Sequence, residues 1–319
     1  MMSWSHGRSS RAARLLFGAA ALALCTTSAV AQTPSAQTDA APASGEIQAR
    51  IDKVVAEFAR EPRFKRLTEK QRRDLIEFVA GNVIFATLHE VGHLLISDLA
   101  LPVLGREEDA TDALAALTGL KLGGSFSDTT LTFSALGWFM SDRRNRAQKI
   151  PTAFYDEHGL DRQRAYNIVC LMVGGKPDKF RKIAEMAKMP EDRQGTCQGD
   201  FSNALWSWNT VLVPHIRKPD EPKVTISWIY APTQKYALYE RGFREIRLLE
   251  TIAGHLADRF VWRGPISLEM KECDEPSARW DLEHRNIYVC YELGADFAEL
   301  YRDYGAHKVK AVSARYRKR

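Results

Sequence analysis

Apolar side chains recur at intervals of three and four residues along most of this chain. That spacing predicts helices over about 46–60, 68–79, 82–98, 106–119, 130–144, 161–174, 178–188 and 192–213. Pro102 and Gly105 punctuate the connection after the third of these, and Gly123-Gly124 predicts a loop after the fourth. The period then changes. Val224 to Tyr230 alternates as a half-buried strand, and a helix near 235–258 follows it. Strands near 265–273 and 286–291 come next, then a final helix to about 304. The pattern is that of an α+β fold, mainly helical, with its late strands in a small antiparallel β-sheet lobe. No internal repeat is evident.

The N-terminus departs from this periodicity. Arg8, Arg11 and Arg14 precede the apolar run Leu15–Leu24, and Ala29-Val30-Ala31 stands before Gln32. These are the basic, apolar and small-residue regions of a secretory signal peptide, with cleavage expected after Ala31. The run is too short for a stable membrane span. Leu24 before Cys25 does not suit a lipoprotein site, and no Arg-Arg pair supports a twin-arginine route. Residues 32–44, rich in Ala, Thr, Gln, Ser and Pro, read as a disordered leader. The chain is therefore expected to be exported, periplasmic or secreted, with no stable membrane span once mature.

Export changes the composition. The full sequence has 45 basic and 40 acidic residues; without the three leader arginines the balance is 42 against 40, or +2. Such a balance gives no reason to invoke nucleic acid, and the basic tail 306–319 reads as a solvated terminus. The five cysteines become four: Cys170, Cys197, Cys273 and Cys290. An even number in an oxidising compartment predicts two disulfides. Three pairings are possible, and the local one, Cys170–Cys197 with Cys273–Cys290, is favoured. The latter would close a loop of about 17 residues, contributing on the order of 3 kcal/mol. No C-x-x-C spacing supports a zinc-cysteine site.

The chemistry concentrates in Leu88-His89-Glu90-Val91-Gly92-His93-Leu94. Residues four apart on a helix lie one above the other, so His89 and His93 can offer imidazole nitrogens to one metal ion. Glu90, about 100° round the helix, can take a proton from a metal-bound water. Ile84, Leu88, Val91 and Leu95 fall in a narrow arc and predict a core-facing stripe, with both histidines on the opposite side. Gly92 costs about 1 kcal/mol of helix propensity relative to Ala, so something must approach closely there.

Two histidines do not complete a zinc site. Glu107, Glu108 and Asp109 follow, with Asp112 one turn beyond Glu108. Ala115 and Gly119 continue that stripe with small residues, as a helix packed closely on the metal helix requires. Glu108 is the favoured third ligand, with Glu107 and Asp109 open as alternatives. Asp112 would accept a hydrogen bond from the far nitrogen of a ligand histidine. Candidate oxyanion donors are His158 and Tyr155 in a polar loop, with Arg164 and Tyr166 on the next helix as alternatives. His215, His255, His284 and His307 have no ligand spacing, and Trp138, Phe139, Trp206 and Trp208 are expected to pack helices.

His89 to His93 followed by Glu108-Asp-Ala-Thr-Asp112 resembles the Glu-zincin arrangement. With Gly81-Asn82, Leu101 to Asp109, Asp156 to Asp161, Gln163 to Cys170, the Trp206/Trp208 helix and Cys290-Tyr-Glu292, the chain is similar to a bacterial metallopeptidase-like family, domain of unknown function 4344. The His93–Glu108 interval is shorter than in many Glu-zincins, and Leu94 to Ala100 lacks the further histidine of a metzincin.

The resemblance implies a zincin-like metal helix pair and an exported zinc peptidase acting on peptide or protein. His89, His93 and Glu108 would hold Zn2+, and Glu90 would act as general base. Other classes are an inactive zinc-binding envelope protein and a metallo-amidase acting on cell-wall fragments. The expected organisation is signal peptide 1–31, leader 32–44, helical metallopeptidase-like lobe 45–216, α/β lobe 223–305 and basic tail 306–319.

Overall fold

A computed structural model describes residues 44–305. The expected signal peptide, the leader up to residue 43 and the basic tail lie outside the described residues.

Helix α1 (Ser44–Phe58) leads through a short 3-10 turn into α2 (Glu69–Asp98), the organising element. Its start is fixed locally. Thr68 Oγ1 accepts from Gln71 N, and Gln71 Oε1 accepts from Thr68 N, a reciprocal capping box. Thirty residues make a helix about 45 Å long. The sequence predicted two helices, 68–79 and 82–98, parted at Ala80-Gly81; the helix instead runs through. The reason lies on α4 (Gly124–Ala147), which crosses there. A Cβ on Gly81 would come within 3.2 Å of the Thr130 backbone, so glycine permits the approach. Asn82 Nδ2 donates to Phe78 O and, across the crossing, to Phe133 O. Gly137 gives this amide its room.

The single core stripe of α2 is also corrected. Ile84 and Leu88 are only half-buried, whereas Phe78, Val83, Leu94 and both His89 and Glu90 are buried. α2 is enclosed on nearly every side by α1, α3, α4, α10 and the edge of the sheet. A helix so placed has no polar face to display. It is long and apolar enough to cross a membrane, but 78% of its most apolar window is buried inside the protein.

α3 (Glu107–Leu122) and α4 are separated only by Gly123, whose φ of +64° makes the turn. α5 (Asp161–Gly175), α6 (Pro177–Met186) and α7 (Glu191–Leu212) complete the helical part. Their apolar faces meet α3 and α4 in one cluster that includes Leu131, Ile168, Met172 and Phe180. The Cys170–Cys197 disulfide joins α5 to α7 inside it, with the Cα atoms 5.0 Å apart. Trp208 packs as expected, its indole donating to Ala110 O, whereas Trp206 lies exposed.

The second half carries β1 (Ile226–Tyr230), α8 (Ala237–Glu245), α9 (Leu248–Arg259), β2 (Ile266–Lys271), β3 (Ala278–Asp281), β4 (Asn286–Cys290) and α10 (Tyr291–Leu300). The helix expected over 235–258 is broken at Arg247, which has φ +55°. Tyr230 reaches into the break and its hydroxyl accepts from Leu249 N. The sheet order is β1-β2-β4-β3. β1, β2 and β4 run parallel, and β3 alone is antiparallel, paired to β4. The expected antiparallel sheet is therefore a mixed one. Two helices return the chain between β1 and β2, which forces that pair parallel. The short strand β3, too polar to show a period of two, intervenes between β2 and β4. The second disulfide, Cys273–Cys290, closes the segment that contains β3. A continuous apolar cluster joins the sheet residues Leu268, Met270, Ile287 and Val289 to Phe78, Val83 and Leu94 of α2.

The α2–α4 crossing yields a test. A Cβ on Gly137 would lie 2.0 Å from Asn82 Oδ1. Gly137→Ala is expected to destabilise the protein by about 1–3 kcal/mol in chemical denaturation. Asn82→Ala in the same chain should relieve part of that cost, giving a double mutant less destabilised than the sum of the two single changes.

Candidate metal centre

The site forms where α3 crosses α2. Gly92 is the contact point: a Cβ there would sit 2.7 Å from Thr111 Cγ2. The bare backbone lets α3 approach, as the misplaced glycine in the motif predicted. Thr111 in turn lies over His89, its hydroxyl 3.1 Å from Nδ1, while donating to Glu108 O.

Close packing brings two histidines and one carboxylate to a common point. His89 Nε2 is 3.2 Å from His93 Nε2 and 2.9 Å from Glu108 Oε2. His93 Nε2 is 3.5 Å from the same oxygen. Tetrahedral ligands at about 2.0–2.1 Å from zinc stand about 3.3 Å apart, so this triangle has the right size. The tautomers agree. His89 Nδ1 donates to Asp112 Oδ1 at 2.8 Å, and His93 Nδ1 donates to Glu107 Oε1 at 2.7 Å. Nε2 of each ring is then the atom turned to Glu108. Either a proton on each Nε2 or one cation shared by both nitrogens and the carboxylate satisfies this cluster. The donor set fits a divalent metal.

The carboxylates around this point play separate parts. Glu108 is the one of the three acidic candidates that reaches the centre; Glu107 orients His93, and Asp109 is exposed. Asp112 is buried beneath His89, and Arg164 holds it with two bonds of 2.7 Å, Nε to Oδ2 and Nη2 to Oδ1. The guanidinium lies over the Trp138 ring, 3.7 Å from its centroid. Arg164 is therefore an anchor for Asp112 rather than an oxyanion donor. Tyr166 is also elsewhere, donating to Ala187 O and packing on Phe139.

Glu90 is buried beside the histidines and accepts from Trp280 N at 2.7 Å. Burial pushes its carboxyl above the ordinary carboxylate range, against the opposing pull of His89, His93 and the Trp280 amide. For His93, burial lowers the pKa, but hydrogen bonds to Glu108 and Glu107 outweigh it and raise the value to about 9. Burial likewise opposes ionisation of Glu108, yet bonds from His158, His89 and His93 hold it well below its usual range. Asp112 is lowered too, its burial outweighed by His89 and Arg164. The carboxylates that raise His93 are the negative charge a divalent cation would meet.

The loop before α5 supplies one more group. His158 Nε2 is 2.9 Å from Glu108 Oε2, and its Nδ1 and main-chain N both face Asp156 Oδ1. The other loop candidate, Tyr155, is almost fully exposed. Two contributors escaped the sequence reading: Glu107 as the partner of His93, and Trp280 as a donor to Glu90. Glu107 had a signal, since it neighbours Glu108 in a first helical turn. Trp280 had none, because it lies 190 residues away in a strand the pattern did not reveal.

A protein-family model, DUF4344, described as "Putative metallopeptidase", matches residues 42–212 and 230–318. Comparison with curated proteins and with solved structures gives no match.

Asp112→Asn removes the buried charge behind His89 while keeping the side chain's shape. It is expected to weaken binding of a divalent metal, with zinc as the probe, about 10- to 100-fold in a competition titration with a chromophoric chelator. The far-ultraviolet circular dichroism should be unchanged.

Proposed function

We propose that this chain, which belongs to the DUF4344 family described as putative metallopeptidases, is an exported zinc peptidase whose centre is held by His89, His93 and Glu108. The observation that carries the reading is the triangle of 2.9, 3.2 and 3.5 Å among His89 Nε2, His93 Nε2 and Glu108 Oε2, with Glu90 buried beside it. Zinc held there would lower the pKa of a water and polarise a peptide carbonyl.

The chain's own residues do the rest. Glu90 takes a proton from the attacking water and passes it to the leaving amine; a carboxyl raised by burial is better matched to accept and then release it. His158, oriented by Asp156, presents a ring nitrogen at the centre and can donate to the oxygen that gains charge. Asp112 and Glu107 hold the two imidazoles in the ligating tautomer. Arg164 keeps Asp112 ionised in its buried position. Two disulfides support an oxidising compartment, in keeping with the signal peptide expected at residues 1–31.

A second reading follows from one observation. His158 Nε2 stands as close to Glu108 as His89 Nε2 does. Were it a fourth ligand, the site would be closed and zinc would be bound without hydrolysis.

One experiment separates the two. Purified mature protein should carry about one zinc per chain, and it should cleave members of a mixed peptide library. Glu90→Gln should retain the zinc and lose cleavage by at least about 100-fold, as loss of a general base does. Stoichiometric zinc with no cleavage by wild type would favour the closed site, and a protein that takes up no zinc would defeat both readings.

A further inference from the structure

Glu90 is unusual for a carboxylate in the middle of a long helix, because it is buried and one of its oxygens is taken by a main-chain donor from the sheet. Trp280 N is 2.7 Å from Glu90 Oε2. The register explains why that amide is available. Cys290 N donates to Ser277 O, so residues 277, 279 and 281 turn their polar backbone groups to β4. Ala278 and Trp280 turn theirs outward. β3 is the edge of the sheet, and this edge lies against α2.

Trp280 grips the helix twice. Its indole Nε1 donates to Ser97 Oγ at 2.8 Å, and Ser97 Oγ donates to His93 O at 2.8 Å. Residues 90 and 97 are two turns apart, so the two contacts lie on the same side of α2. The strand that bears Trp280 is itself secured. The Cys273–Cys290 disulfide closes the segment on which it lies. The buried Glu292 carboxylate accepts from Cys273 N and Asp274 N, each at 3.2 Å, at the segment's start. A short edge strand tied at both ends thus presents one amide to one carboxylate.

We propose that Trp280 is a positioning residue: its main-chain N–H, fixed by the disulfide-closed hairpin, holds Glu90 Oε2 and leaves Oε1 for proton transfer. This role in hydrolysis rests on the peptidase reading above; the contact itself does not.

The experiment therefore has two arms, both on the zinc-loaded mature protein. In the first, amide hydrogen exchange at Trp280 is followed by NMR in wild type and in Glu90→Ala. The Trp280 amide is expected to be protected in wild type and to exchange at least about 10-fold faster in Glu90→Ala, with the Tyr288 amide unchanged as an internal reference. Equal rates at Trp280 overturn the proposal whatever the protein cleaves. In the second arm, Trp280→Pro removes the N–H at an outward edge position where no ladder bond is lost, and Trp280→Phe keeps it.

Trp280→Pro should retain one zinc per chain and a near-normal KM while kcat falls about 10- to 100-fold, the loss of one hydrogen bond to a charged group. Trp280→Phe should recover most of that kcat. A Trp280→Pro protein as active as wild type overturns the positioning role. Should Trp280→Pro fail to fold, or wild type cleave nothing, the exchange arm still decides whether the amide holds Glu90. Absence of cleavage by wild type counts against the peptidase reading alone.

Discussion

The contact between Gly92 of α2 and Thr111 of α3 is the constraint on which the rest of the site depends. A helix normally keeps its neighbour at a distance of 8–10 Å between axes, set by the side chains in between. Removing one Cβ allows Thr111 to press on the backbone of α2, and Glu108 and Asp112 lie on either side of that point in the sequence. Both carboxylates then fall within hydrogen-bonding reach of His89. The histidine pair and Glu108 are thus joined by a packing event rather than by a long, adjustable loop. The short interval from His93 to Glu108 is enough because the two helices touch.

Burying so many charged groups in one place is costly unless each is compensated. The compensation here is layered. Asp112 answers His89 from one side and Arg164 from the other; Arg164 spreads its charge over Trp138. Glu107 answers His93 at the rim, where solvent helps. Glu108 is left as the group that several donors share, which is why its carboxyl is held so far below its usual range. The asymmetry is chemically useful. Glu90, lacking such an array of donors, is pushed the opposite way by the same burial. Two glutamates in one site are thereby shifted in opposite directions, Glu108 downward and Glu90 upward.

Much of the fold was legible in the sequence because helices are local. The limits of α1, α3, α5, α6 and α7 follow from spacing and from punctuation by Pro and Gly. The errors occur where a distant group intervened. Ala80-Gly81 reads as a break, yet the amide of the adjoining Asn82 stitches α2 to α4 and the helix runs through. Residues 235–258 read as one helix, yet the Tyr230 hydroxyl stands in for a missing backbone partner and allows a break at Arg247. β3 is four residues long and polar, so no period could disclose it. Without β3 the strands near 270 and 288 look like a hairpin, and the sheet appears antiparallel.

The site divides in the same way. The sequence by itself determined His89, Glu90 and His93 as a group, because the pitch of a helix fixes which residues share a face. The local cysteine pairing also came from the sequence, and so did the need for a close approach at Gly92. Spacing narrowed the third ligand to three neighbours in one helical turn, and there it stopped. Only tertiary structure decided that Glu108 faces the centre, that Glu107 turns to His93, that Arg164 lies behind Asp112, and that an amide from β3 meets Glu90. The physical reason is one of range. Periodicity records which way a side chain points along its own element, whereas the identity of what it meets depends on how elements far apart in the chain are packed.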